Sequence, residues 1–188
     1  MLRALPVKTQ LTFEDYVHFE TTSDVRHEFV DGNLFVMPGG TKCHNFVTNR
    51  CLMRFFEVAI EKGCYAYSND VITKVPNGKG YYPDVVVTCN SSLDSSRTIH
   101  RPSIIVEVLS STTEAIDRGE KWEQYQTIPS LEQYVLLSQS EAVAEVFSRS
   151  ESKWLYERFT ADDMLHFPSL EYSFTLSDLY KNLPPQED

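Results

Sequence analysis

Two carboxylates stand inside runs of residues that otherwise suit a protein interior. In Tyr82-Pro83-Asp84-Val85-Val86-Val87, Asp84 leads straight into a β-branched stretch, and in Ile104-Ile105-Val106-Glu107-Val108-Leu109 a glutamate interrupts what would serve as a central strand. Burying an unpaired carboxylate is costly, so each acid needs a hydrogen-bond donor, a proton or a cation. If the two strands are neighbours, both acids can meet one divalent ion. Hard ions such as Mg²⁺ or Mn²⁺ take oxygen donors, and Mg²⁺ is often held by only one or two carboxylates, with water and a substrate phosphate completing its shell. Taken singly, each acid could equally sit at a strand end or pair with an arginine.

A third group of residues bears on the same chemistry. Asp117, Lys121 and Tyr125 recur at intervals of four and so share one helical face. An ammonium delivered from that face to the strand carboxylates could lower the pKa of a water or stabilise charge building on a phosphate. The plainer alternative is an Asp117–Lys121 surface pair worth tenths of a kcal/mol. His44, near the start of a long helical stretch, could hydrogen-bond a phosphate or a carboxylate, or simply be a polar residue at a helix start.

The elements that must position these residues follow from periodicity and turn chemistry. Thr12 and Asp15 have capping-box spacing and open a helix that should end near Ser23. Asp31-Gly32 between two apolar runs predicts a hairpin of 26–30 with 33–37, which places Glu28 on its first strand. Leu52, Phe55, Phe56, Ala59 and Ile60 predict an amphipathic helix over 44–62, stopped by Gly63. Strands are expected over 65–75, 83–88 and 103–109, a polar loop between the last two, and a helix over 113–126. Three more strands (132–137, 142–148, 153–159), a segment at 170–174 and a short helix from Ser177 complete the pattern. Strands interleaved with helices make this an α/β or α+β domain with a mixed central sheet.

Composition narrows the class further. At 188 residues and 41% hydrophobic, the chain is expected to close one core, as one domain over 1–188. No apolar run is long enough to span a bilayer and the first residues turn polar quickly, so no membrane partner and a cytoplasmic location are expected. Cys43, Cys51, Cys64 and Cys89 lack ligand spacing, and we expect reduced thiols, without zinc or disulfides. A net charge of −10 opposes a surface that grips nucleic acid everywhere, so any such contact must be local. Lys42, Arg50 and Arg54, then Lys74 and Lys79, then Arg97, His100 and Arg101 are the basic groups from which it could be built, though each could be an ordinary solvated face.

The combination of Pro83-Asp84, Glu107-Val108-Leu109-Ser110 and the Asp117, Lys121, Tyr125 series, preceded by Arg26, Glu28, Asp31-Gly32 and Met37, resembles the PD-(D/E)XK nuclease superfamily. Within it the pattern is similar to the Uma-two family of restriction endonucleases, over about residues 12–137. The resemblance implies a restriction-endonuclease-like core, a mixed sheet flanked by helices. In it Asp84 and Glu107 bind Mg²⁺ (or Mn²⁺), the Val108 carbonyl can join them, and Glu28 is the upstream acid. It implies a metal-dependent endonuclease acting on DNA, with a second copy in a homodimer as one way to complete a positive groove. One departure matters: where the superfamily places its lysine, two residues after the glutamate, stands Leu109. Lys121 would then be a relocated lysine supplied by the following helix, with His44, Asp117 and Tyr125 in support.

Two other readings compete. In the first, the fold persists without activity as a nucleic-acid- or protein-binding module, a reading motivated by Leu109. In the second, the acids and Lys121 serve a small-molecule hydrolase, which would need a deep pocket that Tyr81, Tyr82, Trp122 and Tyr125 could line.

Overall fold

The computed structural model describes residues 6–89 and 97–185. Most of the polar loop expected before Arg101, the first five residues and the acidic C-terminal end lie outside them. In chain order the elements are α1 (Phe13–Glu20), β1 (His27–Val30), β2 (Asn33–Val36), α2 (Lys42–Glu61), β3 (Tyr65–Tyr67), β4 (Ile72–Lys74), β5 (Gly80–Tyr81), β6 (Val85–Thr88), β7 (Thr98–Ile99) and β8 (Ile104–Leu109). A helical segment follows, made of α3 (Glu114–Ile116), a π turn (Asp117–Lys121) and α4 (Trp122–Tyr125). Then come β9 (Gln133–Ser138), β10 (Val143–Ser150), β11 (Lys153–Thr160), β12 (Met164–Phe167), β13 (Tyr172–Thr175) and α5 (Ser177–Tyr180).

A six-stranded sheet in the order β11-β10-β9-β8-β6-β3 carries the centre of the fold. It is mixed: β8 and β9 run parallel, while β6 pairs antiparallel with both β8 and β3. Every residue of β6 and of β8 is buried, which fits strands covered on both faces. Alternation sorts the side chains. Val85, Val87, Ile104, Val106 and Val108 face Val47, Cys51, Phe55 and Ala59 of α2. Val86, Ile105 and Leu109 face the opposite side, with Tyr125, Tyr134 and Leu136. Each large apolar side chain so buried contributes about 1.5–3 kcal/mol, a reserve against which two buried carboxylates can be carried. A five-stranded sheet, β2-β1-β5-β4-β7, brings the N-terminal hairpin against this body.

Local signals explain the boundaries. The capping box of Thr12 and Asp15 forms, with Thr12 Oγ1 accepting from the Asp15 N–H and the Asp15 carboxylate accepting from the Thr12 N–H. Asp31 (φ 50°) and Gly32 (φ 80°) make the hairpin turn, a conformation that two adjacent positive-φ residues require.

Three expectations need correction. The run 65–75 is two strands in different sheets, because the chain turns at Asn69 in the left-handed region (φ 54°) and β4 pairs with β5 and β7 instead. The helix after β8 is broken by the π turn, and β12, with its alternating exposed and buried residues, was not foreseen. The cysteines are not all free thiols: Cys64 and Cys89 form a disulfide, while Cys43 and Cys51 remain free and buried. The cause is register. β3 pairs Tyr65 with Thr88, so the residue before one and the residue after the other are brought opposite each other, with Cα atoms 3.9 Å apart. A separation of 25 residues hides that pairing from the sequence.

Candidate active site

The antiparallel register of β6 on β8 pairs Val85 with Val106, so one step further Asp84 comes opposite Glu107. Glu107 follows the parity of Ile105 and Leu109 and so lies on the face away from α2, whereas Asp84, one residue before β6, stands at the strand end within reach of both β8 and the start of α2. Asp84 Oδ2 accepts the Val108 N–H at 2.7 Å, which ties the acid to the strand that carries its partner. His44 Nε2 lies 3.2 Å from the same oxygen. Glu107 Oε1 accepts from Lys121 Nζ at 3.0 Å and from the Tyr125 hydroxyl at 3.1 Å. Lys121 Nζ is also 3.1 Å from Glu28 Oε1 and 3.1 Å from Asp117 Oδ1. The last is an ion contact without an aligned hydrogen bond, since Asp117 Oδ1 is buried and accepts none.

Every sequence-derived site residue therefore enters one cluster: Glu28 from β1, His44 from α2, Asp84 from the start of β6, Glu107 and Val108 from β8, and Asp117, Lys121 and Tyr125 from the helical segment. Leu109 is packed in the core on the Glu107 face, and the ammonium that contacts Glu107 is that of Lys121. The π turn spans Asp117 to Lys121, so the four-residue spacing read as a regular helix holds in sequence while the backbone is wound wider. Tyr134 donates its hydroxyl to the Asp117 carbonyl at 3.0 Å, occupying a main-chain acceptor within that turn. π turns recur at functional sites.

His44 is placed by its own helix end. Thr41 caps α2, its hydroxyl oxygen accepting the His44 N–H at 3.1 Å and its hydroxyl donating to Gln139 Oε1 at 2.8 Å. A Cβ on Gly40 would lie 2.9 Å from His44 Nδ1, so glycine there lets the ring lie against the backbone. That role had no signal in the sequence, since the contact spans a turn. Nor did the buried link of Glu20 to His27 Nδ1 (2.8 Å) and to the Tyr82 hydroxyl (2.8 Å), which braces the chain two residues before Asp84.

The electrostatics follow from four carboxylates meeting one ammonium and one imidazole in a buried space. Burial pushes the Glu107 carboxyl well above its usual range; Asp117 and Asp84 add to this and Lys121 opposes it. Burial alone would push Lys121 down, but Asp117, Glu107 and Glu28 more than offset it, so its ammonium is held well above the ordinary lysine value. His44 shows the same balance: burial lowers it, the hydrogen bond and charge of Asp84 raise it, and the net direction is up. Tyr125 is pushed well up by burial and by the neighbouring Glu107.

The other sequence candidates lie elsewhere. Lys74 approaches Glu14 (3.9 Å), Lys79 approaches Asp31 (3.5 Å), and Arg54 approaches Asp178 (3.3 Å), so these cations are spent on intramolecular acids. Tyr81, Tyr82 and Tyr125 are core residues, and Trp122 stacks on Phe147 and Tyr134. The deep aromatic pocket of a small-molecule hydrolase is not built from them.

Comparison with known proteins bears on the family and the fold. Residues 13–178 match the Uma2 family, described as "Putative restriction endonuclease". Two uncharacterized proteins of Synechocystis sp. (strain ATCC 27184 / PCC 6803 / Kazusa) are similar. One, slr1290, is 32% identical over 93% of each chain; the other, sll1609, is 27% identical over 87% of this chain and 93% of its own. The fold is shared with a crystal structure from Anabaena variabilis ATCC 29413, described as a putative nuclease belonging to DUF820. Its TM-score is 0.75 at 14% identity, covering 93% of this chain and 99% of that one.

Proposed function

Since the chain belongs to the Uma2 family, we propose that it is a divalent-metal-dependent endonuclease that hydrolyses phosphodiester bonds, with DNA as substrate. The observation that carries this reading is the placement of Asp84 opposite Glu107 on neighbouring strands, with Lys121 brought to Glu107 from the next helix.

The residues fit a hard divalent ion. They offer carboxylate oxygens in excess of the positive charge around them, and a buried excess of that kind is relieved by a cation. Among the described residues no group of three or more His, Cys, Asp or Glu side chains forms a ready-made cage. We therefore assign the ion to Asp84, Glu107 and the Val108 carbonyl, with water and substrate phosphate completing its shell, the manner in which Mg²⁺ is usually held. Bound there, Mg²⁺ or Mn²⁺ would supply Lewis-acid polarisation of the scissile phosphate.

The chain's own groups divide the remaining work. Hydrolysis adds a water oxygen to phosphorus, breaks one P–O bond and leaves a hydroxyl on the departing strand. Lys121 keeps its proton at neutral pH, so it acts as a hydrogen-bond donor that orients the attacking water and stabilises charge on the phosphate, and not as the base that removes a proton. Glu28 and Asp117 help to hold that ammonium, each with an oxygen 3.1 Å from it. Tyr125 fixes the Glu107 carboxylate and His44 fixes Asp84, so both acids are oriented before an ion arrives.

The test is calorimetric titration with Mg²⁺ and Mn²⁺ of the wild type, Asp84→Asn and Glu107→Gln, each also incubated with supercoiled plasmid. Binding and nicking by the wild type, both lost in the two variants, are expected. A wild type that takes up neither ion and leaves the plasmid intact would instead make the domain an inactive binding module.

A further inference from the structure

A polar cleft shares the face of the six-stranded sheet that carries Glu107. The registers define a single transverse row: Glu107 pairs with Leu136, Leu136 with Glu145, and Glu145 with Arg158. One further step in the other direction reaches Asp84. At about 4.8 Å per strand, Glu145 stands about 10 Å from Glu107 and Arg158 about 14 Å. A cavity of about 370 Å³ opens over the far end of this row, at the carboxyl ends of the parallel strands β8 and β9. Its walls include Arg118, Glu145 and Arg158, with Ser110, Ser140 and Gln139 at its mouth. Arg118, three residues before Lys121, is gripped by Glu145 at 2.5 Å and Glu114 at 3.4 Å.

The character of the cleft decides what it can take. Glu114, Glu141 and Glu145 outnumber Arg118 and Arg158, so a backbone phosphate gains little there. Guanidinium, carboxylate, amide and hydroxyl groups side by side instead match a neutral ligand that presents several donors and acceptors on one edge. A nucleobase is such a ligand: arginine pairs with guanine, glutamate accepts from cytosine, glutamine pairs with adenine and serine can serve any of them. From the phosphodiesterase reading, on which this step rests, we infer that the cleft binds the base of a nucleotide flanking the scissile phosphate. The transverse row fixes its distance from the carboxylates. The Thr41–Gln139 hydrogen bond ties its rim to the helix end that carries His44.

The experiment is fluorescence anisotropy with a labelled DNA strand of mixed sequence and a strand of equal length in which every base is replaced by an abasic residue. Both strands keep the phosphates, so the ratio of their affinities reports base contacts. The wild type should bind the base-bearing strand about tenfold tighter, the size of one bidentate base contact. Arg158→Ala combined with Glu145→Ala should bring the ratio below about threefold, as should Ser140→Trp, which fills the cleft from its exposed rim. A wild-type ratio near one, or a ratio unchanged in both variants, overturns the inference. Plasmid nicking measured in parallel separates the two claims. Cleavage without base discrimination removes the cleft alone. Discrimination without cleavage keeps the cleft and removes the nuclease reading.

Discussion

Replacing Lys121 by methionine keeps the length of the side chain and removes its charge. In the wild type the ammonium lies 3.0–3.1 Å from oxygens of Glu107, Glu28 and Asp117, and its side chain is only 7% exposed. At an effective dielectric near 20, each such contact is worth about 5 kcal/mol of attraction, against which stands the cost of desolvating the ammonium itself. Removing one member of a buried ion cluster typically costs about 3–5 kcal/mol, because the partners stay buried without a counter-charge, and that is the loss expected for Lys121→Met near neutral pH. The sign with pH follows. Without Lys121 the Glu107 carboxyl, already raised by burial, loses the charge that opposes the rise and so titrates higher still in the folded state. The folded variant therefore takes up protons more readily, and its deficit should shrink as pH falls toward the carboxylate range. The assay is urea unfolding of wild type, Lys121→Met and Lys121→Met/Glu107→Gln at about pH 8 and about pH 5. The double variant should recover part of the loss, since it removes one of the uncompensated charges. A single-variant deficit below about 1 kcal/mol, or one that is equal at both pH values, would refute the assignment of Lys121 as the counter-charge of this cluster.

Two further outcomes test the scaffold. The Cys64–Cys89 disulfide closes a loop of 25 residues, so reduction, or Cys64→Ala with Cys89→Ala, should cost about 3 kcal/mol of stability; equal unfolding curves with and without reductant would show that the bridge does not form. The Asp15 carboxyl is held below its ordinary value of 3.8, first by the Thr12 side chain and then by the Thr12 N–H, so its contribution is complete above that value and is lost as pH falls through the lower folded one. Thermal midpoints followed from about pH 5 to pH 2.5 should therefore fall less steeply for Asp15→Asn than for the wild type, and parallel curves would contradict the cap's share in acid stability.

Much of this protein was legible along the chain because the signals were local. The Thr12–Asp15 box, the Asp31-Gly32 turn and the apolar spacing of α2 each depend on residues within a turn or two, where backbone geometry is set by sterics and nearby hydrogen bonds. Asp84 and Glu107 stood out for a related reason: a carboxylate inside a buried strand is expensive enough that its presence asks for a partner. The spacing of Asp117, Lys121 and Tyr125 supplied the helix face from which that partner comes.

What the chain could not display was anything set by register between distant segments. Asp84 comes opposite Glu107 because β6 pairs antiparallel with β8 as it does, and a slip of one residue would have set Asp84 beside Val106 or Val108 instead. The same long-range pairing joins Cys64 to Cys89 and lines up Glu107, Leu136, Glu145 and Arg158 in one row. The π turn, whose Asp117 carbonyl accepts from Tyr134, and the buried link of Glu20 to His27 and Tyr82 are likewise contacts between elements. Sequence alone named the acids and the lysine, because desolvation cost and helical period are properties of neighbouring residues. Only the tertiary structure decided that they meet, because strand register is fixed by the packing of the whole sheet between its two apolar layers.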